Sequence, residues 1–501
     1  MDSPVKSSSP LTDEKITSYR QIFKATSLFG GVQAYNVLIS LIRIKFVAVF
    51  LGPAGMGIMN LLTIPLNLIG QITGLGLGYS SVRDISVAAA DGDEEKIGRT
   101  ISVFRKWIWF TGLSGSILTL ILSPFLSRWT FGNGDYTTAF LFLSIVLLFN
   151  ALSTGHSATL QGMRRLRFLA RATVIGSTFG LLVSIPLYYY FRIKGIVPTL
   201  IIASITSFVL FWFYGRRIVV RKPSLTWKEV WNEGNGMVKL GILITLSSLI
   251  SSFISYLINI YISRTGGVDQ VGLYQAGLTI TERSIGLILV ALGTDYYPRL
   301  SGVINDHRKM SQAVNYQAEI GLLIIGPILI LLMTGMPVII RLLYTQKFSL
   351  IMDLIPWIIL GMPVKIASLV MGYILLAKGA NKTFFFSELT YSIILLTLSI
   401  FGYNYMGLMG LGIAYSIMYC AYFVIVSVIC WKKFQFHFSY SFYKIFLLTI
   451  LFCSLSVVTA VILKFPIAYF TGIFLFGLML WFSLVELNKR IGLKLLFKKV
   501  L

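Results

Sequence analysis

The sequence has little negative charge and few of the side chains that build catalytic or metal sites. Its 501 residues include 19 Asp and Glu against 43 Lys and Arg, with only three His and three Cys. The histidines share no metal-ligand spacing, and Cys420, Cys430 and Cys453 all lie in apolar runs, so neither a disulfide framework nor a metal cluster is indicated. No Walker loop, dinucleotide fingerprint, H-E-x-x-H or G-x-S-x-G motif is present. We therefore expect no metal, no cofactor, no catalytic residues and no ATP hydrolysis.

Polar surface is also scarce. Hydrophobic residues make up 56% of the chain and charged residues 12%, and the mean hydropathy is +0.80, which excludes a soluble globular protein. Apolar runs of about 18–25 residues recur along the chain, and each is long enough to cross a hydrocarbon core of about 30 Å as a helix. The short alternating segments of a β-barrel are absent. The sequence therefore predicts an all-α polytopic membrane protein.

The apolar runs predict about fourteen spans and a clear orientation. Of the 43 Lys and Arg residues, 32 lie in or beside the segments on the side of both termini and seven lie in loops on the other side. The positive-inside rule then places both termini in the cytoplasm and explains the net charge of +24 without nucleic acid. The polar N-terminal stretch lacks the hydrophobic core of a cleavable signal peptide. We predict a cytoplasmic segment at 1–22, six-helix lobes at 23–215 and 238–431, a cytoplasmic linker at 216–237, and two extra helices with a basic tail at 432–501.

A weaker copy of the first helices recurs in the second half of the sequence, 215 positions further on. Gly57-Ile-Met-Asn aligns with Gly272-Leu-Tyr-Gln, and Gly195-Ile aligns with Gly410-Leu at the same offset. Six predicted spans separate the copies, and this even number gives both copies the same orientation. Such parallel repeats are related by an axis along the membrane normal, with a binding site between them. We therefore predict two lobes in a parallel pseudo-twofold repeat.

Polar side chains form one stripe on each of the first two predicted helices. The first stripe, within about 80° of arc at 100° per residue, comprises Gln33, Asn36, Ser40 and Arg43. The second comprises Asn60, Thr63, Asn67 and Gln71. In the second copy, Gln275 and Glu282 take the places of Asn60 and Asn67, so the duplicated stripe has different chemistry. We predict that these stripes line a cavity.

Charged residues inside spans are costly and often mark functional sites. Arg43 belongs to the first stripe and lies about 13 Å below Gly52 at 1.5 Å per residue, so a role in the cavity is favoured over snorkelling. Lys45 points roughly 160° away from the stripe, and snorkelling is favoured for it. Lys365 and Glu388 are expected to pair across a helical hairpin. Whether that pair is structural or forms a ligand or coupling site stays open.

Three motifs and the spacing of twelve core spans carry a family resemblance. The motifs are Phe46-Val-Ala-Val-Phe-Leu-Gly-Pro-Ala-Gly-Met-Gly57, Gly74-Leu-Gly-Leu-Gly-Tyr-Ser-Ser-Val-Arg83 and Tyr297-Pro-Arg-Leu-Ser301. Over about residues 20–431 the chain resembles the Wzx-like polysaccharide flippases of the multidrug/oligosaccharidyl-lipid/polysaccharide (MOP) exporter superfamily.

The resemblance implies a MATE-like fold and a transport function without covalent chemistry. Two six-helix lobes would enclose a cationic cavity that alternates between the membrane faces. The implied cargo is an O-antigen or other surface polysaccharide repeat unit on undecaprenyl diphosphate, moved across the bacterial inner membrane, with a polymerase and assembly proteins as partners. The residues that fit the diphosphate are Arg43, Arg283 and Lys365, and those that fit the sugar are Gln33, Asn36, Asn60, Asn67, Gln71 and Gln275. Glu282 and Glu388 are candidates for ion coupling.

Three alternatives are less favoured. Drug-exporting MATE proteins often use acidic residues in their first lobe, but the first six predicted spans contain no Asp or Glu. A flippase for a peptidoglycan lipid precursor also fits a cationic design with fourteen spans. A membrane glycan polymerase usually needs a sizeable external loop, and the predicted external loops here reach only about ten residues.

Overall fold

The computed structural model describes residues 13–218, 223–463 and 466–491, and their side chains except those of residues 13–29, 283, 284, 287–295 and 491. Within these ranges the chain is helical and contains no β-strand, which confirms the predicted all-α class. The helices are α1 (Asp13–Phe50), α2 (Gly52–Gly74), α3 (Leu77–Asp91), α4 (Glu94–Phe131), α5 (Thr137–Gly162), α6 (Leu166–Phe191), α7 (Ile196–Gly215), α8 (Trp227–Gly266), α9 (Val268–Val303), α10 (His307–Leu343), α11 (Ile355–Ala377), α12 (Asn381–Phe434), α13 (Tyr440–Ile462) and α14 (Ile467–Ile491).

Eleven helical stretches in the described part of the chain are long and apolar enough to cross a membrane. Two of them are interrupted. Leu166–Gly215 contains the 3-10 turn Arg192–Gly195 between α6 and α7. Helix α12 breaks at Gly407, where φ is +56° and ψ is −134°, a conformation that only glycine adopts easily. These stretches make the protein a multi-pass membrane protein, and the count of fourteen spans stays a prediction.

Helices α2 and α9 make a reciprocal contact at the two glycines aligned by the repeat. A Cβ atom on Gly57 would lie 1.9 Å from the carbonyl oxygen of Val268, and one on Gly272 would lie 2.0 Å from the carbonyl oxygen of Pro53. Val268 and Pro53 are related by the same sequence offset as Gly272 and Gly57. Each copy therefore presents to the other the surface that it receives, as a local two-fold axis requires. The missing side chains allow the two backbones to touch.

The residue contacts group the chain into two units. One unit comprises the residues through Phe46, Leu66–Ser127 and Gly134–Thr245; the other comprises Val47–Pro65, Arg128–Asn133 and the residues from Leu246 onward.

In the first unit, the start of α8 is fastened to α4. The Trp107 indole donates to the carbonyl oxygen of Val230 at 3.1 Å, and a Cβ atom on Gly234 would fall 2.0 Å from that indole nitrogen. Arg99 donates from Nε to both carboxylate oxygens of Glu233, at 2.8 and 2.9 Å. The first residues of α8 are therefore packed against α4 within this unit.

In the second unit, a buried ion pair joins α14 to α10. Arg490 Nε donates to a carboxylate oxygen of Glu319 at 2.7 Å, and Arg490 also donates to the Ser441 hydroxyl at 2.8 Å. Glu319 is buried, and a buried charge is costly unless it is paired. The two C-terminal helices are thus fixed to this unit through hydrogen-bonded charges as well as through apolar packing.

Candidate functional site

A charged cluster lies at the middle of α11. Lys365 Nζ donates to both carboxylate oxygens of Glu282 on α9, at 2.6 and 2.8 Å, and to the Tyr415 hydroxyl on α12 at 3.0 Å. The Tyr415 hydroxyl in turn donates to Glu282. Lys365 is the eleventh of the 23 residues of α11, so this ion pair lies at membrane depth. Three helices therefore each contribute one polar group to the same point.

Aromatic rings surround this ammonium group. Lys365 Nζ lies 5.6 Å from the ring centroid of Tyr415 and 5.4 Å from that of Tyr419, within cation–π range. The Tyr419 hydroxyl is 3.2 Å from the Tyr391 hydroxyl. Tyr422, one turn further along α12, donates to the Glu388 carboxylate at 2.6 Å. A band of tyrosines thus connects the surroundings of Lys365 with those of Glu388.

The expected pairing of Lys365 with Glu388 is wrong. The structure pairs Lys365 with Glu282, and Glu388 accepts its hydrogen bond from Tyr422. Both carboxylates lie on helices next to α11, and the rotation of each helix decides which of them reaches the ammonium group. Sequence spacing alone does not contain that rotation.

Two of the predicted site amides, Asn60 on α2 and Gln275 on α9, form hydrogen bonds. Gln275, on the same helix as Glu282, donates to the Asn259 side-chain oxygen at 2.8 Å, while Asn259 donates to the carbonyl oxygen of Ser255 at 2.7 Å. Asn60 donates to the carbonyl oxygen of Met56 in its own helix at 2.8 Å. Asn259 is buried, so its pairing with Gln275 satisfies polar groups inside the second unit.

The second cationic residue, Arg43, lies against α6 in the first unit. A Cβ atom on Gly180 would be 3.1 Å from Arg43 Nη2, so the guanidinium group occupies space that a side chain there would take. Arg43 is also close enough to Tyr188 to act on its hydroxyl electrostatically. Nearer the start of α1, the hydroxyl groups of Tyr35 and Thr178 hydrogen-bond at 2.6 Å. Helix α6 therefore fixes the face of α1 that carries Arg43.

The other predicted stripe residues differ in exposure. Gln33 and Asn67 are exposed, whereas Asn36 and Gln71 are half-buried. The side chain of Arg283 is outside the described residues. The structure thus brings Glu282 and Lys365 together, and Gln275 and Asn259 together, within the second unit.

The tyrosine band is the part of the site that the sequence analysis did not predict. Tyr415, Tyr419 and Tyr422 are spaced by four and three residues, which places them on one face of a helix. That spacing was a usable signal. In the part of the chain that the structure describes, no three His, Cys, Asp or Glu side chains are grouped to hold a metal ion.

Comparison with known proteins gives this architecture a family. Residues 46–353 match the family described as "Polysaccharide biosynthesis protein", which is more than half of the chain. The chain belongs to this family. The matched range includes Gln275 and Glu282, begins three residues after Arg43 and ends before Lys365.

One relative of this chain is named as a transporter and another as a flippase. A Shigella flexneri protein named as an O-antigen transporter is 27% identical over 316 residues, which cover 61% of this chain and 72% of that protein. The Lipid III flippase of Escherichia coli strain K12 is 22% identical over 391 residues, 76% of this chain and 91% of that protein. The expectation of a transporter instead of an enzyme is confirmed.

Solved structures share the fold. The Lipid II flippase MurJ in an inward closed conformation superimposes with a TM-score of 0.72 at 16% identity, covering 93% of this chain and 99% of that one. An inward-facing multidrug resistance MATE family transporter of the MOP superfamily gives 0.63 at 16% identity, covering 80% and 94%. Together with the family match, these confirm the predicted MATE-like fold and the resemblance to Wzx-like flippases of the MOP superfamily.

Proposed function

We propose that this protein translocates an oligosaccharide linked to undecaprenyl diphosphate from the inner to the outer leaflet of the bacterial inner membrane. The cargo is an O-antigen or other surface polysaccharide repeat unit, carried by alternating access. The family match and the relatives named as an O-antigen transporter and a Lipid III flippase support this class of cargo. The observation that carries the proposal is the position of Arg43, a permanent cation on a polar stripe of an apolar helix.

A lipid diphosphate needs such a cation because a multiply charged anion is strongly disfavoured in hydrocarbon. The guanidinium group of Arg43 presents a fork of N–H donors that matches two phosphate oxygens. The first six predicted spans contain no Asp or Glu, so the spans of the first half carry no negative side chain that competes with a phosphate. In this proposal Arg43 binds the diphosphate, with Arg283 and Lys365 as further cations.

The sugar part of the cargo needs donors and acceptors more than charge. Gln33 and Asn67 are exposed and Asn36 is half-buried, and each amide both donates and accepts. These residues are proposed to line the path of the oligosaccharide, while the prenyl chain stays in the lipid.

A cation-exporting function fits the same residues less well. A cationic drug needs an available carboxylate, but Glu282 already accepts two hydrogen bonds from Lys365 and one from Tyr415. Binding a cation there would leave Lys365 without its counter-ion. The carboxylate of this cluster is therefore not available to a cationic cargo.

The test is a deletion strain without a redundant flippase, complemented with wild type, Arg43→Ala or Lys45→Ala. Surface glycan and the pool of carrier-bound repeat units are measured together. We expect lost glycan and accumulated repeat units in the deletion, rescue by wild type and by Lys45→Ala, and no rescue by Arg43→Ala at equal protein level. Lys45 is the matched control because it is a cation two residues away that lies off the stripe. Unchanged glycan and carrier pools in the deletion would refute the proposed cargo.

The same strain separates the proposal from a polymerase. Loss of a polymerase leaves single repeat units on the cell surface, whereas loss of a flippase leaves none. We further propose that both termini are cytoplasmic and that a polymerase and assembly proteins receive the cargo outside. Reporter fusions to the C-terminus that are active only in the cytoplasm test the orientation.

A further inference from the structure

The carboxylate of Glu282 holds Lys365 in an arrangement that resembles a bound phosphate. Two oxygen atoms on one centre accept from the same ammonium group at 2.6 and 2.8 Å. A phosphate offers the same pair of acceptor oxygens with more negative charge. Tyr415 supplies the third contact of Lys365 at 3.0 Å.

The two partners of this ion pair differ in exposure. The Lys365 side chain is 14% exposed and that of Glu282 is 41% exposed. An ionised carboxylate is not stable against hydrocarbon, so the open side of Glu282 faces a water-accessible space. An anion that approaches Lys365 from that space meets the position of Glu282 first.

Lys365 keeps part of its surroundings when the carboxylate leaves. The rings of Tyr415 and Tyr419 lie within cation–π range of the ammonium group, and this attraction does not depend on Glu282. The ammonium group is thus positioned by α12 as well as by α9. An exchange of one anion for another leaves these contacts in place.

The first copy of the repeat has no carboxylate at the position that corresponds to Glu282. The residue that corresponds to Glu282 in the first copy is Asn67, a neutral amide on α2. The glycine contact between α2 and α9 joins the two copies and uses the same position of each. The negative charge is therefore an added property of the second copy.

We propose that Glu282 is an internal competitor for the cargo diphosphate: it neutralises Lys365 in the unloaded transporter, and a phosphate group of the cargo displaces it. This inference rests on the proposed function. As a consequence, the Lys365–Glu282 pair carries no net charge until cargo arrives, and the ammonium group in the membrane has an anionic partner throughout the cycle. The same competition promotes release, because Glu282 returns to Lys365 as the phosphate departs.

The test measures equilibrium binding of undecaprenyl diphosphate to purified full-length protein in detergent. We expect Glu282→Gln to bind at least tenfold more tightly than wild type, because the amide keeps the shape and removes the competing charge. Lys365→Ala should bind at least tenfold more weakly, and the double variant should match Lys365→Ala. Asp269→Asn is the matched control, since it removes an exposed negative charge from the same helix and is expected to bind like wild type.

A second variant covers the case in which Glu282→Gln does not fold. Tyr415→Phe removes a hydroxyl that donates to Glu282, so we expect two- to fivefold tighter binding with the carboxylate still present. If Glu282→Gln binds no more tightly than wild type while Arg43→Ala weakens binding, the competitor role is overturned and the proposed function stands. If neither wild type nor Glu282→Gln binds undecaprenyl diphosphate, both are overturned.

Discussion

The two copies of the repeat share a backbone contact, but the residues around the cation of each copy differ. Gly57 and Gly272 let α2 and α9 approach each other in the same way from both sides. Arg43, in the first copy, packs against Gly180 of α6 in a half whose predicted spans contain no carboxylate. Lys365, in the second, is held by Glu282 and by tyrosines of α12. The duplicated scaffold is thus kept, while the surroundings of the cation differ: neutral groups of α6 in one copy and a carboxylate in the other.

Placing a carboxylate beside Arg43 gives the first copy the chemistry of the second, and we expect this change to have the largest effect. A Cβ atom on Gly180 would lie 3.1 Å from Arg43 Nη2, the movable end of a flexible side chain. Gly180→Asp should therefore pair with Arg43 and lower surface-glycan export at least tenfold, roughly the 1.4 kcal/mol or more of a lost charge-assisted contact. Gly180→Asn has the same size without charge and should retain most of the export. Equal export by the two variants would show that the positive charge of Arg43 is not used.

Adding a methyl group at the shared glycine contact tests the part that the copies have in common. A Cβ atom at Gly57 would overlap the carbonyl oxygen of Val268 at 1.9 Å, so Gly57→Ala must push the helices apart at a cost of about 1–3 kcal/mol. Gly272→Ala should cost a similar amount because the contact is reciprocal. Gly70→Ala, on the same α2 with nothing within 4 Å, is the control and should be neutral or stabilising. Thermal unfolding in detergent measures all three. Equal melting temperatures of Gly57→Ala and Gly70→Ala would contradict the close contact between α2 and α9.

The smallest effect is expected for the stability of the Lys365 ion pair. A double-mutant cycle with Glu282→Ala and Lys365→Ala should give a coupling free energy of about 1 kcal/mol, because the carboxylate is partly exposed and solvent screens the attraction. The parallel cycle with Glu388→Ala and Lys365→Ala should give about zero. Chemical unfolding of the six proteins in detergent measures both cycles. A larger coupling free energy of Lys365 with Glu388 than with Glu282 would contradict the pairing in the structure.

The fold was largely predictable from the sequence because the membrane imposes a length and a polarity on each helix. The apolar runs of about 18–25 residues correspond to helices of similar length, such as Ile355–Ala377 and Tyr440–Ile462, which have 23 residues each. The constant offset between the two copies also predicted the alignment of Gly57 with Gly272, which the structure shows in direct contact.

The site was predictable only as a set of candidate residues. Apolar surroundings identify Glu282, Lys365 and Glu388 as costly charges, but the choice of partner depends on helix rotation, which packing determines. Likewise, the depth of Arg43 follows from the residue count, whereas its position opposite Gly180 depends on how α1 meets α6. The tyrosines of α12 are a further example. Their spacing predicts that they share one face of the helix, but it does not predict that this face contacts Lys365.

We propose that the positive charge of Arg43 binds the diphosphate of a lipid-linked oligosaccharide during translocation. The most direct measurement is translocation of an undecaprenyl-diphosphate-linked oligosaccharide by purified protein in proteoliposomes, with wild type, Arg43→Lys, Arg43→Ala and Lys45→Ala at equal reconstitution. We expect full activity for Lys45→Ala, partial activity for Arg43→Lys and at least a tenfold loss for Arg43→Ala. Translocation by Arg43→Ala at the wild-type rate would contradict it.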